Sequence, residues 1–452
     1  MPEPGQKTLT SSQGKALAER IADRRSRTGI IGMGYVGLPL AVAVYAAGYP
    51  VLGFDIDPVK ISALNDGQSP IGRIGDKIIA EMRASGRFEV TKDYGKLADC
   101  DVIILCVPTP LNRHREPDLS YITGTTQGLA PYLRTGQMIV LESTTYPGTT
   151  REVMCPILEM GGLKSGQDFF LAFSPEREDP GNPDYHTATI PKIVGGDGAD
   201  ASALAGQFYG SVVKRIVEVS SCEVAEAVKL TENIFRSVNI ALVNELKIIY
   251  DRMGIDIWEV IEAAKTKPFG YMAFYPGPGL GGHCIPIDPF YLTWKAKEYN
   301  VHNRFIELAG EINTMAPVHV VDKLVDSLSL RKRMSLNGAK ILMFGVAYKK
   351  NVEDTRESPA FTLIELIEGK GGKVDFYDPF VPEIPHTREH HEMAGRRSVP
   401  FDPELFSNYD AAVICTDHDG VDYISIARSV DLIIDTRNAL KAVADRARIV
   451  RA

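Results

Sequence analysis

The sequence has no C-x-x-C pair, no block of basic residues and no apolar run long enough to span a bilayer. Its six cysteines (Cys100, Cys106, Cys155, Cys222, Cys284 and Cys415) are scattered singly. That distribution predicts neither a disulfide framework nor a metal site, and suits free thiols in a reducing cytoplasm. Fifty Lys and Arg stand against 58 Asp and Glu, a net charge of −8. Without a concentrated cationic surface, nucleic acid is not an expected partner, whereas a small anion needs only a local cluster. The most apolar segment, 38–54, is broken by Gly48 and Pro50, so no membrane insertion is expected. Residues 1–26 mix both charge signs and lack the apolar core of a signal peptide. What is there is an ordinary globular composition, 44% hydrophobic and 24% charged, over 452 residues. That length suits about three domains.

Along the chain, short apolar β-type runs alternate with helical patterns, as in a parallel sheet with crossover helices. Strands are predicted at 28–32, 51–55, 102–107, 138–142, 169–173 and 192–195, with 212–219 closing the unit. From Ser221 the period changes. Ala225, Val228, Leu230, Ile234, Val238, Leu242 and Leu246 recur at helical spacing and predict one helix of about 30 residues. Further helices are expected at 257–265, 285–299 and 304–330, lengths that bridge domains or build a dimer interface. Alternation resumes after Asn337-Gly338, with strands at 340–345, 373–377, 411–415 and 432–435. The chain therefore reads as α/β, then helical, then α/β. Its divisions are 1–26 (an extension with a short amphipathic piece), 27–220, 221–330 and 331–452.

Thr28-Gly-Ile-Ile-Gly32-Met-Gly34-Tyr35-Val36-Gly37 is a strand followed by G-x-G-x-x-G and a helical pattern. Gly32 suits the tight turn, Gly34 the approach of a pyrophosphate, and Gly37 the packing of helix on strand. The phosphates would sit on the helix N-terminus, with Tyr35 and Val36 in the turn. The next strand ends in Asp55, about 20 residues on, where the fingerprint places an acid that accepts a ribose 2′-hydroxyl and repels a 2′-phosphate. NAD is the expected cofactor. Asp57, just before Pro58, reads as a turn or cap residue, and Thr109 joins the cofactor-binding set.

The segment Tyr275-Pro-Gly-Pro-Gly-Leu-Gly281-Gly-His283-Cys284-Ile-Pro286-Ile-Asp288-Pro289 concentrates glycine and proline before a single thiol. A backbone so stripped of side chains predicts a close approach. Pro286 and Pro289 both suit a first helical turn. Cys284 would then lie at a helix N-terminus, where a thiolate is stabilised and becomes a nucleophile. Asp288, four residues on, would face the same way. His283 suits either tuning of the thiol or a structural loop role.

Glycine fingerprint and GGHC-x-x-x-D loop together make residues 28–437 resemble the nucleotide-sugar 6-dehydrogenases, the UDP-glucose and GDP-mannose dehydrogenases and their relatives. The resemblance implies two Rossmann-like doubly wound domains joined by a long-helix dimerisation region. It implies oxidation of a sugar C6 hydroxymethyl to a carboxylate with two NAD⁺, through a cysteine thiohemiacetal and thioester. Cys284 would be the nucleophile. Lys229 and Asn233, spaced i, i+4 in Glu226-Ala-Val-Lys229-Leu-Thr-Glu-Asn233, would contact substrate and hold the oxyanion. Glu176 of Ser174-Pro175-Glu176 would orient the hydrolytic water, Asp288 would hold water as a base, and Thr144 of Glu142-Ser143-Thr144 would touch water and nicotinamide.

Two segments depart from the family pattern. Arg177-Glu-Asp-Pro replaces F-L-x-E, and Thr145-Tyr-Pro-Gly differs in length from the UDP-glucose form, which leaves Thr145 as the alternative to Thr144. In the last domain the resemblance gives Lys349 to the sugar nucleotide, Arg356 to the cofactor, and Arg437 of Asp435-Thr-Arg437-Asn to the diphosphate or sugar. Gly281 counts among the substrate contacts. A homodimer or higher even oligomer is implied, with a partner-subunit arginine entering the substrate site. No R-x-G stands in the stretch just before the glycine loop, residues 255–274, where Lys267 is the nearest basic residue.

At the thiol, UDP-glucose enzymes read GGSCF-x-K-D. Here Gly281-Gly-His-Cys-Ile-Pro-Ile-Asp288-Pro-Phe resembles the branch that oxidises UDP-N-acetylhexosamines. The Lys267-Pro-Phe-Gly-Tyr-Met and Pro-Gly-Pro-Gly-Leu context most resembles the members of that branch that act on UDP-N-acetylglucosamine in bacterial surface polysaccharide synthesis, which the resemblance makes the expected substrate. The manno and galacto epimers and UDP-glucose stay open, because epimers are told apart by individual hydrogen bonds. Two other classes stand further off. A two-electron 3-hydroxyacid-type dehydrogenase would need no thiol and would give one NADH per substrate. A non-catalytic NAD or nucleotide-sugar sensor would not need Glu176, Lys229, Asn233, Cys284 and Asp288 together.

Overall fold

A computed structural model of the chain describes residues 9–72, 74–112, 114–178, 187–282, 285–387 and 390–452. The chain divides into two compact units, Met1–Glu232 with Trp294–Asn300, and Asn233–Thr293 with Val301–Ala452.

Eight strands form the sheet of the first unit: β1 (Thr28–Ile31), β2 (Val51–Phe54), β3 (Phe88–Thr91), β4 (Val102–Leu105), β5 (Met138–Leu141), β6 (Phe170–Phe173), β7 (Lys192–Gly196) and β8 (Ile216–Glu218). Their order is 3-2-1-4-5-6-7-8. The first six are mutually parallel, and β7 runs antiparallel to β6. β1, β2, β4, β5 and β6 are four-residue strands buried at every position, apolar apart from Thr28 in β1, because helices cover both faces of the sheet. Alternate side chains divide between two cores: Ile30, Val51, Ile104, Val140 and Ala172 on one face, Ile31, Leu52, Ile103, Ile139 and Leu171 on the other. The N-terminal segment adds a helix, Ser12–Ala22, whose Leu17 and Ile21 enter the first of these cores.

The second unit contains the helix Ile257–Lys265, the helix Arg304–Ser327 and a five-stranded sheet. Its strands are β9 (Lys340–Phe344), β10 (Lys373–Tyr377), β11 (Ala411–Ile414), β12 (Ile433–Asp435) and β13 (Ile449–Arg451), ordered 10-9-11-12-13 and all parallel. The fold is thus α/β with a doubly wound parallel sheet in each unit. The predicted long helix is Cys222–Arg252, 31 residues that begin in the first unit and end in the second.

Both sheets close their first turn in the same way. Gly32 follows β1 with φ +96°, and a Cβ there would lie 2.4 Å from the Cys106 carbonyl oxygen. Gly345 follows β9 with φ +80°, and a Cβ would lie 2.4 Å from the Thr416 oxygen. Only glycine fits either place. The next amide then donates to an aspartate at the end of the neighbouring strand: Met33 to Asp55 at 2.9 Å, Val346 to Asp378 at 2.7 Å.

Several expectations differ from the structure. The stretch 212–219 is only partly strand, because the helix Ala199–Val212 runs to its start and leaves Ile216–Glu218 to pair with β7. β3 and β13, four and three residues long, carry too few alternations to register as strands. The helix after the thiol starts at Asp288 rather than at 285, so Pro289 sits in its first turn while Pro286 lies in the turn before it. Cys284 itself, and with it the expectation that the thiol lies at a helix N-terminus, falls outside the described residues.

Candidate active site

Strand order in the first unit reverses between β1 and β4, the switch point where loops from the carboxyl ends diverge and leave a crevice. Ile31, Leu105, Leu141 and Phe173 stand in one row of register across β1, β4, β5 and β6. The loops that follow them carry Gly32–Gly37, Thr109, Thr144 and Glu176. Four separated segments therefore end along one sheet edge.

The turn after β1 fits a dinucleotide. A Cβ on Gly37 would lie 1.9 Å from the Gly32 carbonyl oxygen, so a glycine there lets the helix Gly37–Ala46 start directly against the strand. Over Gly34 nothing lies within 4 Å of a Cβ position, leaving room for a pyrophosphate. Tyr35 and Val36 form the turn itself, and Val36 caps the helix without a side-chain hydrogen bond. Asp55 accepts the Met33 amide through Oδ2 and the Asp57 amide through Oδ1, each at 2.9 Å, which fixes the carboxylate and leaves lone pairs that could accept a hydroxyl. Asp57 caps the helix Pro58–Asn65, accepting from Val59 at 2.9 Å. Thr109 is half-buried in the loop after β4.

After β5, Thr145 is buried and shares a 2.6 Å hydrogen bond with Thr149, whereas Thr144 is only half-buried. Of the two, Thr144 is the one open to a ligand. Glu142, just before it, is buried, with Oε2 2.7 Å from Lys192 Nζ and Oε1 accepting from the Tyr209 hydroxyl at 2.5 Å. After β6, Glu176 is half-buried and accepts the Glu178 amide. Lys229 lies on the long helix and donates from Nζ to the Glu176 carbonyl oxygen at 2.5 Å. One turn earlier on that helix, Glu226 accepts the Gly148 and Thr150 amides at 2.6 and 2.9 Å and the Thr150 hydroxyl at 2.6 Å. Burial pushes the Glu226 carboxyl up to about 7 against these three donors.

In the second unit, Asn233 and Asp288 meet across 55 residues of sequence, Nδ2 donating to Oδ2 at 2.5 Å, both side chains buried. The glycine loop before the thiol packs on the chain itself. A Cβ on Gly277 would lie 2.6 Å from Arg437 Nη1, one on Gly279 3.2 Å from Pro317 and Pro359, and one on Gly281 2.9 Å from the Tyr348 Cβ. The close approach that the glycines permit is therefore, within this unit, an approach to the loops after β9 and β12. Arg437 is aimed by its Nε donating to the Cys415 carbonyl oxygen at 2.8 Å, while Asp435 gathers the Arg437, Ala439 and Leu440 amides beneath it.

Lys349 is half-buried, with Nζ 5.9 Å from the Tyr348 ring centroid. Arg356 forks onto Asp354, Nε to Oδ1 at 2.8 Å and Nη2 to Oδ2 at 2.5 Å. Lys267 is exposed, its Nζ 5.2 Å from the Phe269 ring centroid. His283 and Cys284 lie outside the described residues.

Sequence reasoning missed Lys192 and Lys247. Lys247 is buried on the long helix, and burial draws its ammonium down to about 8, with Asp251 and Asp435 opposing and Arg437 adding to the effect. The signal for Lys192 was a lone charge opening an otherwise apolar strand, Lys192-Ile-Val-Gly-Gly.

Three family models cover the chain in order: the NAD-binding domain of the UDP-glucose/GDP-mannose dehydrogenase family at residues 26–213, its central domain at 223–315 and its UDP-binding domain at 342–442. The chain belongs to the UDP-glucose/GDP-mannose dehydrogenase family. It is 36% identical over 357 residues to a UDP-N-acetyl-D-glucosamine 6-dehydrogenase of Pseudomonas aeruginosa, 78% of this chain and 83% of the relative. It is 35% identical over 421 residues to a UDP-N-acetyl-D-mannosamine dehydrogenase of Pyrococcus horikoshii, 92% of this chain and 96% of that one. The solved structure of a UDP-D-ManNAc dehydrogenase from Pyrococcus horikoshii matches with a TM-score of 0.84 over 94% of this chain and 99% of that chain. As a member of this family the protein is an NAD-dependent oxidoreductase acting on nucleotide sugars. No helix among the described residues is long and apolar enough to cross a membrane.

Proposed function

We propose that the protein oxidises the C6 hydroxymethyl of a UDP-N-acetylhexosamine, UDP-N-acetylglucosamine above its epimers, to the uronate, in a reducing cytoplasm and for surface polysaccharide synthesis. The observation that carries this reading is the Asn233–Asp288 pair at 2.5 Å. It brings an amide donor of the long helix to a carboxylate four residues past the thiol, which a two-electron dehydrogenase would not need. The N-acetylated sugars in the names of the relatives, and the GGHC-Ile-Pro-Ile-Asp288 loop, support the choice of substrate class.

Gly32–Gly37 and Asp55, with Thr109 and Arg356 as further contacts, would hold NAD⁺, and two NAD⁺ bound in turn would accept one hydride each. A water held by Asp288 and Thr144 takes the hydroxyl proton as C6 becomes an aldehyde. The Cys284 thiolate adds to that carbon, and the Lys229 ammonium and Asn233 amide hold the resulting oxyanion. Loss of a second hydride leaves the thioester. Water oriented by Glu176 and Asp288 adds, the C–S bond breaks, and the thiolate is released with the carboxylate product. Gly281, Lys349, Arg437 and Lys267 bind the sugar nucleotide.

Residues 27–220 serve the cofactor, 221–330 carry the thiol and a dimer interface, and 331–452 hold the UDP sugar, an assignment supported by the spans of the three family models. A homodimer is supported by Phe235, Leu242 and Ile249. Spaced seven apart on one face of the long helix, they remain 49%, 49% and 45% exposed.

The test is NADH formed per mole of sugar consumed at completion, run on UDP-N-acetylglucosamine, its manno and galacto epimers, and UDP-glucose. Two NADH on UDP-N-acetylglucosamine, with Cys284→Ser forming no uronate, is the expected result. One NADH, or a Cys284→Ser enzyme with wild-type uronate formation, would overturn the mechanism; preference for another sugar would correct the substrate.

A further inference from the structure

The strands β7 and β8, parallel to each other, run against the other six strands of the sheet, and the direction of β7 has a chemical use. Because it runs against β6, with Phe173 opposite Gly195, its first residue arrives at the edge where the parallel strands end. Extending that register by three residues sets Lys192 opposite Glu176, and Ser174 Oγ donating to the Ile193 carbonyl oxygen at 2.8 Å keeps the strands together beyond the paired rungs. Lys192 is 4% exposed. Its ammonium lies 2.7 Å from Glu142 Oε2 and 3.9 Å from Glu176 Oε2, and 5.3 Å from the Tyr209 ring centroid. The Tyr209 hydroxyl donates to the other Glu142 oxygen at 2.5 Å.

We propose that Lys192 is a positioning residue for Glu176: anchored on the buried Glu142, its ammonium holds the Glu176 carboxylate in the place from which it orients water. This deepens the proposed function and rests on its assignment of Glu176.

Two carboxylates share one buried cation, so the cluster works only while the cation is present. Glu142 is held by Lys192 and Tyr209 and cannot turn away. Glu176 has one oxygen toward Lys192 and the other on the Glu178 amide. The other charged or titratable groups nearby do not replace the ammonium. Lys229 spends a donor on the Glu176 backbone carbonyl, Arg177 pairs with Glu232 at 2.5 Å, and the Cys106 thiol is held neutral by burial and by Glu142. Burial works against the charge of Lys192, but Glu142 and Glu176 more than offset it and keep the ammonium protonated beyond its ordinary range. Without the ammonium, two carboxylates would face each other in a poorly solvated place with nothing to hold Glu176 toward Glu142.

The experiment uses the full chain in single-turnover mixing with UDP-N-acetylglucosamine and excess NAD⁺, read for NADH and, after acid quench, for sugar held on the enzyme as thioester. In Lys192→Met release of the uronate is expected to slow by roughly tenfold or more, with acyl-enzyme accumulating while NADH formation and KM for the sugar change little, and Lys192→Arg should restore release. Glu142→Gln removes the anchor and should slow the same step; this variant serves even where Lys192→Met does not fold. Unslowed release in the variants of an enzyme that gives two NADH overturns this inference alone. A wild type that gives one NADH and no acyl-enzyme removes the proposed function, and this inference with it.

Discussion

Single residues in this protein are placed by competition between charge and burial. Lys247 is the clearest case. Folding brings its ammonium down to about 8 from an ordinary 10.5, chiefly by burial. A lysine whose proton is held less tightly when folded costs stability wherever the chain must carry that charge, below about 8. The cost is relieved as pH climbs toward 10.5, because the unfolded chain then sheds the proton that the folded chain has already lost. Lys247→Met is therefore expected to raise the unfolding midpoint in urea at pH 7. The gap to wild type should close between pH 8 and 10.5, the window set by those two values. A gap that widened with pH would contradict the assignment. Lys192 shows the opposite balance, since two carboxylates offset its burial.

At the scale of elements, the cofactor site depends on how closely a helix can begin against a strand. The helix Gly37–Ala46 starts with a position whose Cβ would overlap the Gly32 carbonyl oxygen at 1.9 Å. Gly37→Ala must push helix and turn apart, moving the helix N-terminus off the phosphates it would otherwise face. NAD⁺ affinity by calorimetry is expected to fall by roughly tenfold or more, about 1.4 kcal/mol per factor of ten. Gly34→Ala, with open space over it, should leave the fold intact and lose affinity only through contact with the ligand. The same logic explains the glycine loop at 277–282. Its glycines clear Arg437, Pro317, Pro359 and Tyr348, so a methyl at Gly277 or Gly281 would displace the groups expected to hold the sugar nucleotide.

For the molecule as a whole, the long helix is both a scaffold and an unfinished surface. One side supplies Glu226, Lys229 and Asn233 to the two constellations. The line Phe235, Leu242 and Ile249 is left half-exposed, and the helix Arg304–Ser327 adds Phe305, Leu308 and Met315. Burying such residues is worth about 25 cal/mol per Å² of apolar surface, enough to drive association. Light scattering on the wild type is expected to give twice the chain mass, and Leu242→Glu a monomer. A monomeric wild type would overturn the dimer.

The sequence by itself carried the family, the cofactor and most elements, because each depends on local pattern: a glycine fingerprint with an acid at the next strand end, runs of apolar residues, a helical period held from Ser221 to Arg252. The helix Ile257–Lys265 and strand Lys373–Tyr377 stand where periodicity set them. Thr144 and Thr145 could not be separated in sequence, since only packing puts the Thr145 hydroxyl on Thr149. Nor could the partners of Glu176, Asn233 and Arg437 be read, because each pairs across many residues. Lys192 reaches Glu176 only because β7 runs against β6, a choice settled by the chain's return path rather than by any residue in it. Local chemistry is written in neighbours along the chain; the charge balance of a buried site is written in neighbours through space, and only folding brings those together.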